Sequence, residues 1–262
     1  MIFSSVRPLG RSWLTGITSL VALVSCGPAG GSSDVILTRI GDPDVSHQVI
    51  SGSLAADADV EAIIRPYREE YEVWAAEVVG EATGMFTRGD PEATLDNMVA
   101  DALLESARVL SSRPVDMAML NDGGLRTDIN EGPVYLTEVF EVMPFENTVS
   151  IIELTGHQVD SLAYQIAVTR GEPVAGIRFR ISSQPTRAFD IEVAGEPLDL
   201  DRTYHVALAD YLADGGGNWP QVWTPVDRED FSFLIRDAIL EYVRERNQIV
   251  PRLDGRISVG TP

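Results

Sequence analysis

The largely apolar run Val115 to Leu120 ends on Asn121-Asp122-Gly123-Gly124-Leu125-Arg126, and no other junction in the chain constrains the fold as much. A short apolar run closed by a glycine-rich segment reads as a strand, with the six residues as the loop at its carboxyl end. Glycines let backbone N–H groups come close to an anion, and a guanidinium forks two donors onto phosphate or carboxylate. Taken alone, such a loop is more often a plain turn than a ligand cradle. The segments around it decide.

Helices and strands follow one another irregularly on either side. Asp59 to about Trp74 reads as a helix interrupted near Pro66, because proline lacks the N–H that a helix interior needs, and a short strand follows around Glu77 to Val79. Asp96 to Leu110 sets Val99, Leu103, Ala107 and Leu110 at helical spacing, a stripe fit for burial. Thr148 to Leu154 is a strand, and Thr155-Gly156 opens a helix running to about Thr169. Gly176 to Ile181, Ala188 to Val193 and Thr203 to Ala209 are strands bounded by Gly, Pro and Asp turns. A last helix, Glu229 to Asn247, places Phe231, Ile235, Ala238, Ile239 and Tyr242 on one face. The pattern predicts an α+β fold: a single domain over residues 59–262 with a mixed β-sheet and packed helices, about 200 residues being enough for one sizeable core. No internal repeat is evident.

The start of the chain reads differently. Arg7 and Arg11 precede an uncharged stretch, Ser12 to Ser25, that ends in Leu23-Val24-Ser25-Cys26 and is too short to span a bilayer comfortably. Residues 1–25 are expected to be a lipoprotein signal peptide, with Cys26 the lipidated residue; the other reading is a buried helix that ends in cysteine. Cys26 is the sole cysteine, so an internal disulfide and a CxxC zinc site are both excluded. Acyl chains there would anchor the chain without a transmembrane helix. Residues 26–58, rich in Gly, Ser and Asp, are expected to be a tether with one short strand. The expected location is therefore the bacterial cell envelope, as an exported lipoprotein.

Charge narrows the partners. The chain has 40 acidic and 20 basic residues, and loss of Arg7 and Arg11 with the signal would leave 18 basic against 40 acidic, a net charge of −22. A phosphate polymer would be repelled, so nucleic acid is not an expected partner. Every basic residue is arginine and none is lysine. That bias fits either a salt-adapted host, whose ionic strength screens dense carboxylates, or genomic composition bias in an ordinary acidic secreted protein.

Seven blocks occur in a fixed order: Glu92 to Ala102, Asn121 to Arg126, Met143 to Asn147, Glu153 to Gly156, Val174 to Phe179, Pro197 to Tyr204 and Asp210 to Gly217. Together they resemble the C-terminal domain of the 5′-nucleotidase and UDP-sugar hydrolase family, here as a stand-alone lipoprotein, over roughly residues 60 to 262. The first block has Asp96 where that family usually has glycine. The resemblance implies that this domain grips a nucleotide or nucleoside and cuts nothing itself; in the family an N-terminal metallophosphoesterase domain holds two metals and attacks the phosphate.

The implied ligand residues follow from the same match. Phe145 and Tyr211 would sandwich the base, in keeping with the ability of aromatic faces to stack on any base for roughly 1 to 3 kcal/mol each. Tyr204 and Trp219 lie close enough in sequence to compete with Tyr211. Arg126 would meet the phosphate, Asn121 would bond the nucleotide from the same loop as Gly123 and Gly124, and Arg88 is a second possible phosphate contact. The family's Gly-Gly-Asp, whose carboxylate accepts the ribose 2′- and 3′-hydroxyl protons, is here Gly215-Gly216-Gly217-Asn218, leaving Asn218 or Asp214 as a weaker substitute.

A catalytic metal centre is not expected. His47, His157 and His205 are the only histidines, none spaced as a ligand set, and no His-Glu-x-x-His, Gly-x-Ser-x-Gly or Walker-type loop occurs. Metal ligands and cofactors are accordingly expected to be absent from this chain, with divalent metals confined to a separate metallophosphoesterase partner. Three readings stand: the specificity subunit of a split 5′-nucleotidase, inactive alone; a nucleotide-capture lipoprotein; and a degenerate surface scaffold.

Overall fold

The computed structural model of the chain describes Ser51 and residues 54–261. The expected signal peptide, the lipidated Cys26, most of the tether and His47 lie outside the described residues. Ala56–Pro262 form one compact unit. Its elements are, in chain order, α1 (Ala58–Ala75), β1 (Val78–Ala82), α2 (Thr94–Leu110), β2 (Met117–Met119), β3 (Gly132–Tyr135), α3 (Leu136–Val142), β4 (Thr148–Thr155) and α4 (Gly156–Thr169). There follow β5 (Val174–Ala175), β6 (Ile177–Ser183), β7 (Thr186–Val193), β8 (Glu196–Pro197), β9 (Thr203–Ala209), α5 (Asp210–Ala213), β10 (Asp227–Leu234), α6 (Ile235–Arg246), β11 (Gln248–Ile249) and β12 (Ile257–Val259).

Three sheets share one core. The central sheet has five strands in the order β10-β4-β9-β2-β5, flanked by a three-stranded sheet β11-β1-β3 and a four-stranded sheet β12-β6-β7-β8. In the central sheet β4 runs antiparallel to both β10 and β9, β2 runs parallel to β9, and β5 antiparallel to β2. The mixed sheet and packed helices expected from the sequence are what the chain forms. β4 is covered on both faces, and its Val149, Ile151, Ile152 and Leu154 are all buried, which is why it reads as an apolar run and not as a clean alternation. α2 packs against β2, β5 and β9 on one side and α6 on the other. Of its expected stripe, Val99, Leu103 and Ala107 are buried, and Leu110 packs half-buried at the edge.

Two sequence expectations are corrected. The segment from Glu229 does not begin a helix: Asp227–Leu234 is β10, paired with β4, and the helix starts only at Ile235. Phe231 and Phe233, two apart in Asp-Phe-Ser-Phe-Leu, follow the strand period, and the presence of an open β4 edge outweighs the helical spacing that continues downstream. α1 is not interrupted either; it runs through Pro66 without a break. No residue of α1 is buried, so the carbonyl that Pro66 leaves without a donor can be hydrated at little cost. β3 and α3 fall in a stretch for which sequence spacing gave no element.

The C-terminal tail is fastened by a buried cation. Arg256, 9 % exposed, donates to both carboxylate oxygens of Asp101 at 2.8 and 3.1 Å, to Asp254 at 2.8 Å and to the Val174 carbonyl at 2.8 Å. Burial pushes the Asp101 carboxyl up from its ordinary value while Arg256 opposes the shift. Removing the guanidinium leaves the Val174 carbonyl and two partly exposed carboxylates without their donor, at a cost of about 1–3 kcal/mol. Arg256→Ala is therefore expected to lower the free energy of unfolding in urea by that amount, whereas Arg65→Ala, in an exposed pair with Glu69, shifts it by less than about 1 kcal/mol.

Candidate functional site

Strand polarity gathers the site. Because β2 and β9 are parallel, their carboxyl ends lie at the same edge of the sheet, and because β4 is antiparallel to β9, its amino end lies there too, with Val149 opposite Ala209. Three loops meet at that edge: Asn121 to Arg126 after β2, Met143 to Asn147 before β4, and α5 with the glycine run after β9. Asn121, Gly123, Gly124, Phe145, Asn147 and Tyr211 line one crevice of about 240 Å³.

The loop after β2 is built by its own backbone. Asp122–Gly124 form a single 3₁₀ turn, with the Gly124 amide donating to the Asn121 carbonyl at 2.9 Å and the Leu125 amide to the Asp122 carbonyl at 3.0 Å. The Arg126 amide then donates to the Val142 carbonyl at 2.9 Å, which ties this loop to the end of α3 and so to Phe145. Gly123 and Gly124 both keep negative φ; what they contribute is clearance, since an added Cβ at Gly123 would sit 3.3 Å from the Asn121 side chain.

Tyr211 is held from below by the glycines that follow it. The Gly216 amide donates to the Tyr211 carbonyl at 2.7 Å and the Gly217 amide to the Tyr211 hydroxyl at 3.0 Å. A Cβ on Gly216 would lie 2.4 Å from a ring carbon of Tyr211, so only glycine lets the backbone turn beneath that ring. Asp210 fixes the approach by accepting from the Thr148 hydroxyl at 3.0 Å and from the Tyr211 amide at 2.7 Å. Phe145 and Tyr211 are 41 and 48 % exposed, whereas Tyr204 and Trp219 are 1 and 5 % exposed. The two alternative aromatics are thus core residues, and the two rings at the crevice are the available ones.

The cations and polar groups divide. The Arg126 guanidinium lies 5.9 Å from the Phe145 ring centroid and donates to the Gly123 carbonyl at 3.2 Å, beside the crevice but not among its lining residues. Arg88 instead sits behind the loop, paired with Asp128 at 3.3 Å and donating to the Leu125 carbonyl at 3.0 Å. Asn218 is exposed and is not among the lining residues, and Asp214 is held by Arg228 at 2.8 Å. At Gly217 φ is +67°, and a Cβ would approach Trp219 to 2.9 Å. Asn147, which joins the lining, is the residue that sequence reasoning left without a role; its place near Phe145 in the same block was the available signal. Among the described residues no cluster of three or more His, Cys, Asp or Glu could hold a metal ion. His205 lies 4.0 Å from both Asp116 and Glu153, inside the sheet.

Comparison with known proteins places this geometry. Residues 78–224, more than half the chain, match the family model described as 5′-nucleotidase, C-terminal domain. The trifunctional nucleotide phosphoesterase protein YfkN of Bacillus subtilis is 29 % identical over 181 residues, covering 63 % of this chain and 12 % of its own. The 5′-nucleotidase of Mus musculus is 25 % identical over 253 residues, covering 85 % of this chain and 43 % of its own. Among solved structures, the 5′-nucleotidase precursor of Thermus thermophilus superposes with a TM-score of 0.68 at 25 % identity, covering 78 % of this chain and 44 % of that one. The chain spans less than half the length of each of these relatives.

Two acids behind the loop carry an electrostatic load. Asp96 is 5 % exposed; its Oδ2 accepts from the Gly89 amide at 3.4 Å and its Oδ1 has no partner. Burial pushes its carboxyl up to about 7, with Asp122 and Asp90 adding to the shift and the Gly89 amide and Arg88 opposing it. Burial likewise raises Glu172 to about 7, although it accepts the Asp122 amide at 2.7 Å. An acid whose pKa rises on folding binds a proton in the fold that the unfolded chain has released, so stability falls as pH climbs through the window from about 4 to about 7. Asp96→Asn keeps the acceptor and removes the charge. Its melting temperature is expected to exceed that of the parent, with a gap that widens from about pH 5 to about pH 8; a gap independent of pH in calorimetry would show that Asp96 carries no such load.

Proposed function

The chain belongs to the 5′-nucleotidase C-terminal domain family, and on that premise we propose that it is the nucleotide- or nucleoside-binding specificity subunit of a split 5′-nucleotidase. The observation that carries the reading is the crevice itself. Two half-exposed rings, Phe145 and Tyr211, face one space of about 240 Å³ whose other walls are glycine backbone and two amide side chains. That space is below the several hundred Å³ of a pocket that swallows a drug-sized ligand, and it suits a flat heterocycle held by its faces. Sugar and phosphate then extend past Arg126 at the mouth, outside the volume this chain encloses.

The cutting half is, on this reading, a separate metallophosphoesterase polypeptide that brings the divalent metals, as such domains hold two metal ions a few ångströms apart to clamp the attacking and leaving oxygens. The pocket closes between the two. The role is nucleotide catabolism, for phosphate or nucleoside scavenging, in the cell envelope, with Cys26 lipidated as the anchor. Gly217 in place of the family aspartate removes a charged acceptor for the ribose hydroxyls. Losing such a bond costs about 1.5–3 kcal/mol, roughly ten- to a hundredfold in affinity, so discrimination between ribo- and deoxyribonucleosides is weakened.

Calorimetry with nucleosides and nucleoside monophosphates tests the clamp. Phe145→Ala and Tyr211→Ala are each expected to weaken binding roughly 5- to 150-fold, the worth of one stacked ring; unchanged affinity in both variants would remove the assignment. The purified chain with added divalent metal is expected to release no phosphate from nucleotides, and to support release when a metallophosphoesterase polypeptide is supplied. Phosphatase activity of the isolated chain would overturn the split arrangement, and tight binding without any effect of the second polypeptide would leave a capture protein.

A further inference from the structure

Behind the glycine wall of the crevice, three segments bring carboxylates together. Asp122 belongs to the loop after β2, Asp90 and Asp96 to the approach and first turn of α2, and Glu172 to the link between α4 and β5. An added Cβ at Gly171 would meet the Pro91 backbone, so the link and the approach to α2 touch. Glu172 holds the wall directly: its Oε2 accepts the Asp122 amide at 2.7 Å, and the neighbouring Pro173 carbonyl accepts the Leu120 amide at 2.9 Å. Asp96 is less well served. It is 5 % exposed, its Oδ2 has one long contact with the Gly89 amide, and its buried Oδ1 has no hydrogen-bond partner.

The nearby cations leave this charge largely uncancelled. Arg88 pairs with Asp128 and gives another donor to the Leu125 carbonyl, and Arg170 lies 3.9 Å from Asp90 with 81 % of its side chain exposed. Burial is the main cause that pushes Asp96 and Glu172 up to about 7, and Asp122 and Asp90 add to the shift at both. The Gly89 amide and Arg88 oppose it at Asp96, and the Asp122 amide and the Thr169 side chain oppose it at Glu172. Between about pH 6 and pH 8 the charge behind the loop therefore changes by up to two units.

We propose that Asp96 and Glu172 set the charge preference of the crevice: ionised, they turn it toward uncharged nucleosides and against phosphate-bearing ligands, and protonated, they let it take either. This deepens the base-clamp reading of Phe145 and Tyr211 and rests on it. A heterocycle stacked between the rings carries no charge for the acids to repel. An anion drawn to Arg126 lies on the loop whose Asp122 amide Glu172 holds, where the buried charges act on it with little screening. Neither acid touches the ligand; both act through the loop.

Calorimetry at pH 6 and pH 8 compares adenosine, guanosine, cytidine and uridine with their 5′-(methyl phosphate) diesters, whose single charge is constant over that window. For each nucleoside that binds, the diester is expected to bind about three- to tenfold more weakly at pH 8 than at pH 6, and the nucleoside equally at both. Asp96→Asn combined with Glu172→Gln, which keeps an acceptor for the Asp122 amide, is expected to hold the diester at its pH 6 affinity throughout. Diester binding indifferent to pH, or equally pH-dependent in the double variant, would overturn the proposal. A ligand-free readout is the Asp122 amide proton in NMR, expected to titrate near neutral pH and to lose that titration in Glu172→Gln; an amide that does not titrate would overturn it as well. If no nucleoside binds while the Asp122 amide titrates, the clamp fails and takes this inference with it, whereas nucleoside binding without pH-dependent discrimination removes this inference alone.

Discussion

The position of β9 between one parallel and one antiparallel neighbour is the constraint on which the rest of the molecule depends. Its pairing with β4 runs over seven residues, from Val149 with Ala209 to Thr155 with Thr203, and fixes the register of the whole central sheet. Its shorter pairing with β2 decides polarity. If β2 were antiparallel to β9, the Asn121 to Arg126 loop would emerge at the far edge, and Phe145 and Tyr211 would have no glycine wall between them. A parallel neighbour requires a long crossover, here the whole stretch from β2 to β9, and it is through that crossover that α3, β4 and α4 are placed. The core and the crevice are thus consequences of a single choice of strand direction.

Much of this was legible in the sequence, and the unread parts have physical reasons. α2, β4, α4 and β9 carry clear periods or, for α4, a start signal: Thr155 caps the helix and Gln158 closes the capping box, with the Thr155 hydroxyl accepting the Gln158 amide at 3.2 Å. The beginning of α6 misled because its helical spacing extends back into Phe231, and nothing in a sequence reports that β4 has an edge waiting for a partner. Pro66 misled in the other direction: a proline costs a helix interior a hydrogen bond and a ring clash, about 3 kcal/mol, and α1 nevertheless runs on through it. Of the site, the aromatic pair and the loop with its glycines could be named from resemblance. The separation of Arg88 and Asn218 from the crevice could not, because Arg88 turns to Asp128 and Asn218 stands in solvent, and spacing along the chain encodes neither.

The glycine run after Tyr211 shows how a half-exposed ring is made stiff by the backbone beneath it. A tyrosine half in solvent would sample several rotamers, and freezing it on binding costs affinity. Here Gly216 passes directly under the ring, and the Gly217 amide takes the hydroxyl as its acceptor, so the ring is ordered before any ligand arrives. The same turn accounts for glycine at position 217. With φ at +67° and Trp219 within 3 Å of where a Cβ would stand, glycine is the residue of lowest strain for the backbone as it lies.

An acidic chain could bind an anion only through local contacts. With a net charge of −20, the long-range field repels phosphate, but at physiological ionic strength charges act over only about 8–10 Å. Within that range the distribution of arginines decides. Arg88, Arg113, Arg228, Arg246 and Arg256 are each committed to carboxylates, and among the described residues Arg126 forms no ion pair and makes its one side-chain hydrogen bond to a backbone carbonyl. Its remaining donors point to a single cationic contact at the mouth of the crevice, against two aromatic faces inside it. Stacking is indifferent to net charge, so what the crevice residues offer by themselves is weighted toward flat, uncharged faces.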